Sequence, residues 1–442
     1  MLSFLDRERS VAPPGFNRWL IPPAALAVHL SIGQVYAFSV FNTPLGDHFG
    51  TGLTPIAVIF SISIGMLGLA AAFGGKWVER SGPRKAMFVS AVCWVAGFLV
   101  SAVGVATHQL WLVYLGYGLI GGIGLGIGYI SPVSTLIKWF PDRPGLATGI
   151  AIMGFGGGAL IASPLSETFL SVFADTPADA VLPTFLVLAG IYLVAMMLGA
   201  ATIRVPPPGW TPDGSPAPEV DPGSQGVTVE TAFRTRQFWL CWIVLFCNVT
   251  AGIGILQQAA PMIQDYFPAV TAAAAAGFVG VLSLCNMAGR VVWSSTSDVI
   301  GRKPTYVMYL GLGGVLYLLV ATMGTSSIVF FVLATGIILS FYGGGFATVP
   351  AYLRDLFGPR NVGAVHGRLL TAWSAAGIVG PLIVSGIADY QIAAGHTGAD
   401  LYNLSLYVMV GVMLVGFLAN LLIRPLSARD SAPEKELATT AA

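Results

Sequence analysis

The chain has 442 residues, of which 55% are hydrophobic and only 9% are charged, and its formal net charge is +1. With a mean hydropathy of +0.78, it is far too apolar for a soluble globular protein of this length. The composition therefore indicates a polytopic protein of the lipid bilayer. The net charge itself says nothing about partners, and no nucleic acid is expected among them.

Windows of about 20 apolar residues, the length of a helix that crosses a bilayer, predict an all-α membrane protein with twelve transmembrane helices. Their centres lie near Val28, Gly65, Val95, Gly121, Phe155, Leu188, Thr250, Leu282, Gly314, Gly336, Gly377 and Met413. Because the number is even, both termini are expected on one side of the membrane. The first apolar run leads into eleven more, so we interpret it as a membrane helix rather than a cleaved signal peptide.

The loop charges are distributed unevenly between the two sides of the membrane. Every Lys and Arg outside the apolar segments falls on the side of the termini, whereas the opposite loops contain only acids, such as Asp47, Asp175 and Asp265. Cytoplasmic loops of membrane proteins carry the excess of Lys and Arg. We therefore predict that both termini are cytoplasmic.

A Pro-, Gly- and acid-rich stretch separates the sixth and seventh spans and predicts a linker, because it cannot form a packed element. The predicted order is an N-terminal six-helix half, a cytoplasmic linker, a C-terminal six-helix half and a cytoplasmic tail. These units comprise residues 1–204, 205–236, 237–426 and 427–442.

The two halves repeat weakly in sequence. Glu79 and Gly82 after the second span correspond to Asp298 and Gly301 after the eighth, and both pairs are 219 residues apart. Two pseudo-symmetric six-helix halves joined by a cytoplasmic linker are the arrangement of the major facilitator fold. Its binding site lies at the midplane between the halves.

Arg290 is the only one of the 21 Lys and Arg residues that lies deep in an apolar segment, and all 20 Asp and Glu lie in loops, tails or helix ends. An Arg near the middle of a membrane helix costs about 2.5 to 3.5 kcal/mol on insertion scales, so its default interpretation is functional. A bound anion is the expected partner. The alternative is that Arg290 extends its side chain to cytoplasmic water. Asn286, four residues earlier on the same helix face, favours a site.

Other polar residues within the spans are further candidates for contact with an anion. They are Gln34 and Tyr36 in the first span, Tyr129 in the fourth, and Gln257 and Gln258 in the seventh. Equally, they could satisfy one another between helices. His29 in the first span is the candidate for proton coupling, because histidine is the residue type whose ordinary pKa lies near neutrality.

The sequence offers no motif for other chemistry. There is no Gly-x-x-x-x-Gly-Lys-Ser/Thr loop, so direct use of ATP is not indicated and any pumping must be secondary. The four Cys lie in apolar segments and indicate neither disulfides nor a metal site. We expect no cofactor and no metal. An enzyme is not expected, because no nucleophile or acid and base pair converges.

Three runs of residues carry a resemblance to a known family. They are GYISPVSTLIKWFPDRPGLATGIAIMGFGGGALI from Gly128 to Ile161, HLSIGQVYAFSVFN in the first span and GRLLTAWSAAGIVGPLI in the eleventh. They resemble the oxalate/formate antiporter family of the major facilitators. The resemblance implies exchange or uptake of small carboxylates across a bacterial inner membrane, with the Arg of span eight as a carboxylate ligand. That residue is Arg290 here, and the resemblance adds Asn286 and, from the FYGGGF run, Tyr342.

The chain departs from the family at one position in span eleven. Oxalate exchangers of the family carry a Lys in a Thr-Ala-Lys sequence, whereas this chain has Thr371, Ala372 and Trp373. Because one intramembrane cation balances one carboxylate, the sequence predicts a monocarboxylate such as formate, lactate or pyruvate rather than oxalate. Trp373 is expected either to contact the substrate or to serve as a packing or gating aromatic.

The charged turns after spans two and eight mark the facilitator fold. They contain Glu79, Arg80, Arg84, Asp298 and Arg302. We expect these residues to pair with helix ends and with the neighbouring half, and so to act as conformational latches rather than ligands.

The leading hypothesis is a secondary active transporter of small carboxylates that works by alternating access, as an anion exchanger or a proton symporter, and as a monomer. The alternatives are an oxalate/formate exchanger, a proton-linked drug or sugar facilitator, and a transporter-like carboxylate receptor. A deep Arg without a deep acid argues against cationic drugs.

Overall fold

The computed structural model describes residues 2–141, 144–212, 227–358 and 362–426. The predicted linker is therefore described only at its two ends, and the predicted tail lies outside the described residues. Over the described ranges the chain is almost entirely helical, and its β-structure is limited to one isolated bridge between Val11 and Val205.

Twelve long helices follow one another along the described chain. They are α1 Arg18–Phe49, α2 Leu53–Ser81, α3 Pro83–Ala106, α4 Leu110–Trp139, α5 Pro144–Val172, α6 Pro177–Thr202, α7 Arg236–Tyr266, α8 Ala272–Ile300, α9 Arg302–Met323, α10 Ile328–Phe357, α11 with its two segments Val362–Leu369 and Thr371–Ala393, and α12 Asp400–Leu422. Short helices Leu2–Leu5, Arg7–Ser10 and Val229–Arg234 precede α1 and α7.

The helices are long enough to cross a bilayer. Within the described residues, 11 of them meet the length and hydropathy of a membrane span. The remaining helix, α5, lies where the fifth span is predicted and has 29 residues, or about 43 Å at 1.5 Å per residue. Each predicted span thus has a helix at its position.

The helix contacts define two bundles related by an approximate twofold axis. α1 packs on α5 and α6, and α3 on α4 and α6; in the second bundle α7 packs on α11 and α12, and α8 on α10. The halves meet where α2 packs on α11 and α5 on α8. The counterpart of each helix lies six helices away along the chain, so the counterparts of α2 and α11 are α8 and α5. The two contacts between the halves are therefore equivalent. The centre of α1 also contacts α7.

Two helices of the first half are irregular near their middles. α1 contains a nine-residue 3₁₀ stretch, Gly33–Phe41, and α4 contains a π-helical segment, Tyr114–Gly121. Runs of 3₁₀ helix longer than three or four residues are uncommon, and such stretches often mark functional positions. The stretch in α1 carries Tyr36 to the boundary between the halves.

Residues 2 and 426 lie at the same end of the bundle, which is called the termini end; the other is the opposite end. At the termini end, Lys303 at the start of α9 donates hydrogen bonds to the carbonyls of Leu421 and Ile423 at the end of α12. The buried core runs continuously through both halves. The site described below lies within this core.

Candidate functional site

Arg290 lies in the middle of α8 and is 1% exposed. Its Nε donates a hydrogen bond to Oδ1 of Asn286 at 3.1 Å, so the expected proximity of the two residues is observed. Neither Nη1 nor Nη2 makes a hydrogen bond of normal geometry within the part of the chain that the structure describes. The guanidinium is therefore oriented by Asn286, while its two outer nitrogens make no well-formed hydrogen bond to a described residue.

Six aromatic side chains, which lie next to Arg290 or to one of its aromatic neighbours, are called the aromatic box. They are Tyr36 of α1, Tyr129 of α4, Phe155 of α5, Tyr342 and Phe346 of α10, and Trp373 of α11. Cζ of Arg290 lies 5.5 Å from the ring centroid of Phe346. The hydroxyls of Tyr36 and Tyr129 also interact with the guanidinium. The box thus encloses one positive charge with aromatic faces and hydroxyls.

Direct contacts across the box join the two halves of the protein. The hydroxyls of Tyr36 and Tyr342 share a hydrogen bond of 2.8 Å. The ring of Trp373 lies edge-on to Phe346 at 4.6 Å and to Tyr129 at 5.3 Å between centroids. All six side chains are at most 4% exposed. The box is therefore shielded from water in this structure.

Glycines bring the neighbouring helices against the Arg290 and Asn286 pair. A Cβ atom at Gly156 of α5 would lie 2.7 Å from Nε of Arg290, and one at Gly343 of α10 would lie 2.7 Å from Oδ1 of Asn286. A side chain at either position would displace the guanidinium or the amide. This close approach explains the small residues in the GFGGGA and YGGGF runs next to Phe155 and Phe346.

A second buried polar cluster, the amide network, lies between the box and the opposite end. It consists of Asn42 of α1, Gln257 and Gln258 of α7, and Ser385 of α11. Asn42 Nδ2 donates to the Gln257 carbonyl at 2.7 Å and to Gln258 Oε1 at 3.2 Å. Gln258 Nε2 donates to Ser385 Oγ at 2.7 Å, and Ser385 Oγ donates to Gln257 Oε1 at 3.3 Å. Gln257 and Gln258 are candidates for substrate contact from the sequence. In the structure both are hydrogen-bonded to Asn42 and Ser385.

Nearer the opposite end, Asp389 of α11 caps the first turn of α2. Its Oδ1 accepts from the Leu53 amide at 2.9 Å and its Oδ2 from the Thr54 amide at 2.8 Å. The N-cap residue of α2 is Gly52, which has no side chain to satisfy these amides. A carboxylate at a helix N-terminus is also stabilised by the helix dipole. Asp389 therefore supplies, from the other half, the cap that α2 lacks.

Two predicted site residues lie beside the box rather than in it. Gln34 accepts a hydrogen bond from Tyr117 Oη at 2.8 Å inside the first half, and no described contact brings it to Arg290. His29 is buried and its Nε2 lies 3.1 Å from the carbonyl oxygen of Tyr129, with the two rings stacked 5.8 Å apart. His29 therefore contacts Tyr129 of the box but is not itself a box residue.

The predicted latch residues have their described partners within their own halves. Arg84 donates to the carbonyls of Phe4 and Arg9, and so holds the N-terminal segment. Arg302 pairs with Asp298 and with Asp355, the latter at 3.3 Å. Glu79 and Arg80 are exposed. A latch between the halves at this end stays a prediction.

The sequence interpretation missed Phe155, Phe346, Asn42 and Asp389. Phe346 ends the YGGGF run, which begins with the predicted site residue Tyr342, and Phe155 lies inside the GFGGGA run. Both runs therefore contained a signal for these residues. Asn42 is a polar residue in the first span and could have been found by the criterion that selected Gln34. Nothing local distinguishes Asp389, whose partners are more than 330 residues away.

The structure is a bundle of membrane-length helices built from two repeats of six helices, with a buried cation at their interface. This arrangement is typical of a transporter rather than an enzyme. The family model of the Major Facilitator Superfamily matches residues 24–292 and 259–441, so the chain belongs to this superfamily. The fold class predicted from the sequence is confirmed. A solved bacterial homologue of the human lysosomal transporter Spinster, in an inward-facing and occupied conformation, has the same fold. It matches with a TM-score of 0.72 at 13% identity, covering 96% of this chain and 100% of the other.

Two curated relatives bear on the kind of transporter. The oxalate:formate antiporter of Oxalobacter formigenes is 27% identical over 386 residues, or 84% of this chain and 85% of the relative. The apicoplast pyruvate carrier 1 of Toxoplasma gondii is 27% identical over 354 residues, or 68% of this chain and 63% of the relative. The resemblance noted from the sequence is thus confirmed.

Proposed function

We propose that this protein is a secondary transporter of small monocarboxylates in a bacterial inner membrane, with both termini cytoplasmic. The observation that carries the proposal is the guanidinium of Arg290, which is buried between the halves and whose two Nη atoms make no hydrogen bond of normal geometry within the described chain. A buried charge needs a counter-charge. A carboxylate, which accepts two parallel hydrogen bonds from a guanidinium, fits these atoms.

The position of the charge supports transport by alternating access. Arg290 belongs to the second half, while Tyr36, Tyr129 and Phe155 of the box belong to the first. A ligand bound to Arg290 would therefore contact both halves and favour their closure around it. The printed names of the two relatives, an oxalate:formate antiporter and a pyruvate carrier, agree with a small carboxylate.

One cation favours a single carboxylate. A dianion held by one Arg leaves an unbalanced charge in a site of low dielectric, which costs several kcal/mol even after relaxation. Trp373 stands in the box as a neutral side chain. Oxalate exchange is accordingly the less favoured alternative.

Counterflow in proteoliposomes tests the proposal. Liposomes that contain the purified protein and are loaded with unlabelled formate, lactate or pyruvate should accumulate the same acid in labelled form from outside. Arg290→Ala should abolish this uptake, and Arg290→Lys should restore little, because an ammonium lacks the planar pair of donors. Arg236→Ala, which removes an exposed Arg outside the box, serves as the matched control. Normal uptake by Arg290→Ala at equal reconstitution would reject the site.

The same liposomes separate exchange from proton symport. An exchanger needs carboxylate inside and is indifferent to an imposed pH step, whereas a symporter accumulates substrate under an inward proton gradient alone. Exchange is slightly favoured, because the apolar segments carry no acid at the depth of Arg290. His29→Gln should reduce uptake if the protein is a symporter and change it little if it is an exchanger.

A further inference from the structure

The indole of Trp373 is held in the box with its polar atom unused. The side chain is fully buried, and its Nε1 has no hydrogen-bond partner among the residues that the structure describes. Its ring is fixed by edge-on contacts with Phe346, Tyr129 and Phe155 at 4.6, 5.3 and 5.9 Å. An N–H donor buried without a partner is unfavourable, so the position calls for an explanation.

Arg290 and Trp373 share two aromatic neighbours. Both contact the ring of Phe346, Arg290 at 5.5 Å and Trp373 at 4.6 Å. Both also lie next to Tyr129. A small anion bound to the guanidinium would therefore lie among side chains that also contact Trp373.

The polar atoms of Arg290, Asn286 and Trp373 that have no hydrogen-bond partner in the described chain are all donors. Within the described residues, hydrogen-bond partners are missing for Nη1 and Nη2 of Arg290, Nδ2 of Asn286 and Nε1 of Trp373. The acceptor of the Asn286 amide is taken by Arg290, and the hydroxyls of Tyr36 and Tyr342 are bonded to each other. The box thus suits a ligand that has several acceptors and no donor of its own.

We propose that Trp373 is a specificity-determining residue whose indole N–H binds a second oxygen next to the carboxylate, so that the transporter selects 2-oxo monocarboxylates over simple alkyl acids. A 2-oxo acid has three oxygen acceptors and no N–H or O–H donor. Its carboxylate occupies the Nη atoms of Arg290 and its oxo group meets the indole. An alkyl acid of the same length leaves the indole donor unpaired. The inference rests on the proposed carboxylate transport.

Uptake of pyruvate and propionate, which have the same number of carbons, tests the inference in proteoliposomes. The wild type should take up pyruvate about tenfold more efficiently than propionate, the ratio that one unmade hydrogen bond in a buried site produces. Trp373→Phe keeps an aromatic ring against Phe346 and removes only the donor. It should bring the ratio near one, because pyruvate uptake falls more than propionate uptake.

The outcomes separate this inference from the proposed function. Equal uptake of both acids by the wild type, or an unchanged ratio in Trp373→Phe, overturns the role of Trp373. Loss of uptake of both acids in Arg290→Ala would then still support the carboxylate site. If Trp373→Phe loses uptake of both acids equally while its melting temperature matches the wild type, the indole acts by shape and the inference is likewise overturned.

Discussion

The aromatic box and the amide network are both buried at the boundary between the halves, yet only one of them satisfies its hydrogen-bonding groups. In the amide network, the side-chain amides of Asn42, Gln257 and Gln258 all find partners. In the box, four nitrogen donors of Arg290, Asn286 and Trp373 lack partners within the described chain.

The difference separates a structural contact from a binding site. An unmade hydrogen bond of a buried group costs about 1 to 3 kcal/mol, and more for a charged one. The amide network is satisfied without a ligand, which is what a structural contact requires. A ligand could satisfy the open donors next to the box, and on the proposed function this gain would contribute to its affinity.

Changing the charge of the box should have the largest effect. Wild type should prefer monocarboxylates to oxalate by at least about tenfold, since about 1.4 kcal/mol already gives that factor. Trp373→Lys adds a second cation and should move the preference toward oxalate, while monocarboxylate transport weakens because the new charge then lacks a counter-ion. Competition of oxalate and pyruvate for labelled uptake measures the shift. Equal uptake of oxalate and pyruvate by the wild type would contradict the single-cation argument.

Breaking the amide network should affect stability rather than binding. Asn42→Leu keeps a similar volume but leaves the Gln257 and Gln258 amides short of partners, at a cost of about 1 to 3 kcal/mol. The melting temperature in detergent should fall, whereas the affinity for pyruvate should stay within a few-fold of the wild type. An unchanged melting temperature would show that the network contributes nothing to closure.

The cap on α2 offers a smaller test of how the opposite end closes. Asp389→Ala removes the acceptors of the Leu53 and Thr54 amides, and charge at a helix N-terminus is worth about 0.3 to 1 kcal/mol. Hydrogen exchange at the start of α2 should become a few-fold faster. α8, the counterpart of α2, is an internal control, because its amide at Ala274 is capped by its own Thr271. Equal acceleration at both helix starts would indicate general destabilisation instead of a lost cap.

The sequence was most informative where a residue was chemically out of place. A lone deep Arg is visible in any hydropathy plot, and it led directly to Asn286 one turn away. The structure also brings Tyr36, Tyr129, Tyr342 and Trp373 together in the aromatic box, and their role in binding stays a prediction.

The rest could not be predicted because it depends on partners far apart in the chain. Gln34 and Tyr36 are both polar residues of the first span and are equal candidates from the sequence. In the structure, Gln34 is paired with Tyr117, 83 residues away. Gln257 is paired with Asn42, 215 residues away. Phe155 and Phe346 are ordinary apolar residues in a chain that is 55% hydrophobic. Only the packing of the halves shows which polar groups are satisfied and which remain open.

Binding of pyruvate to purified wild type and Arg290→Ala, measured by calorimetry beside the melting temperature of each ligand-free protein, tests the central claim most directly. On the proposed function, the guanidinium of Arg290 binds the carboxylate and pairs with no acid among the described residues. Arg290→Ala should therefore lose detectable binding while its ligand-free melting temperature equals or exceeds that of the wild type, because an uncompensated buried charge has been removed. Retained binding, or a loss of stability as large as breaking a buried ion pair produces, would contradict the assignment of Arg290 as the substrate's anchor.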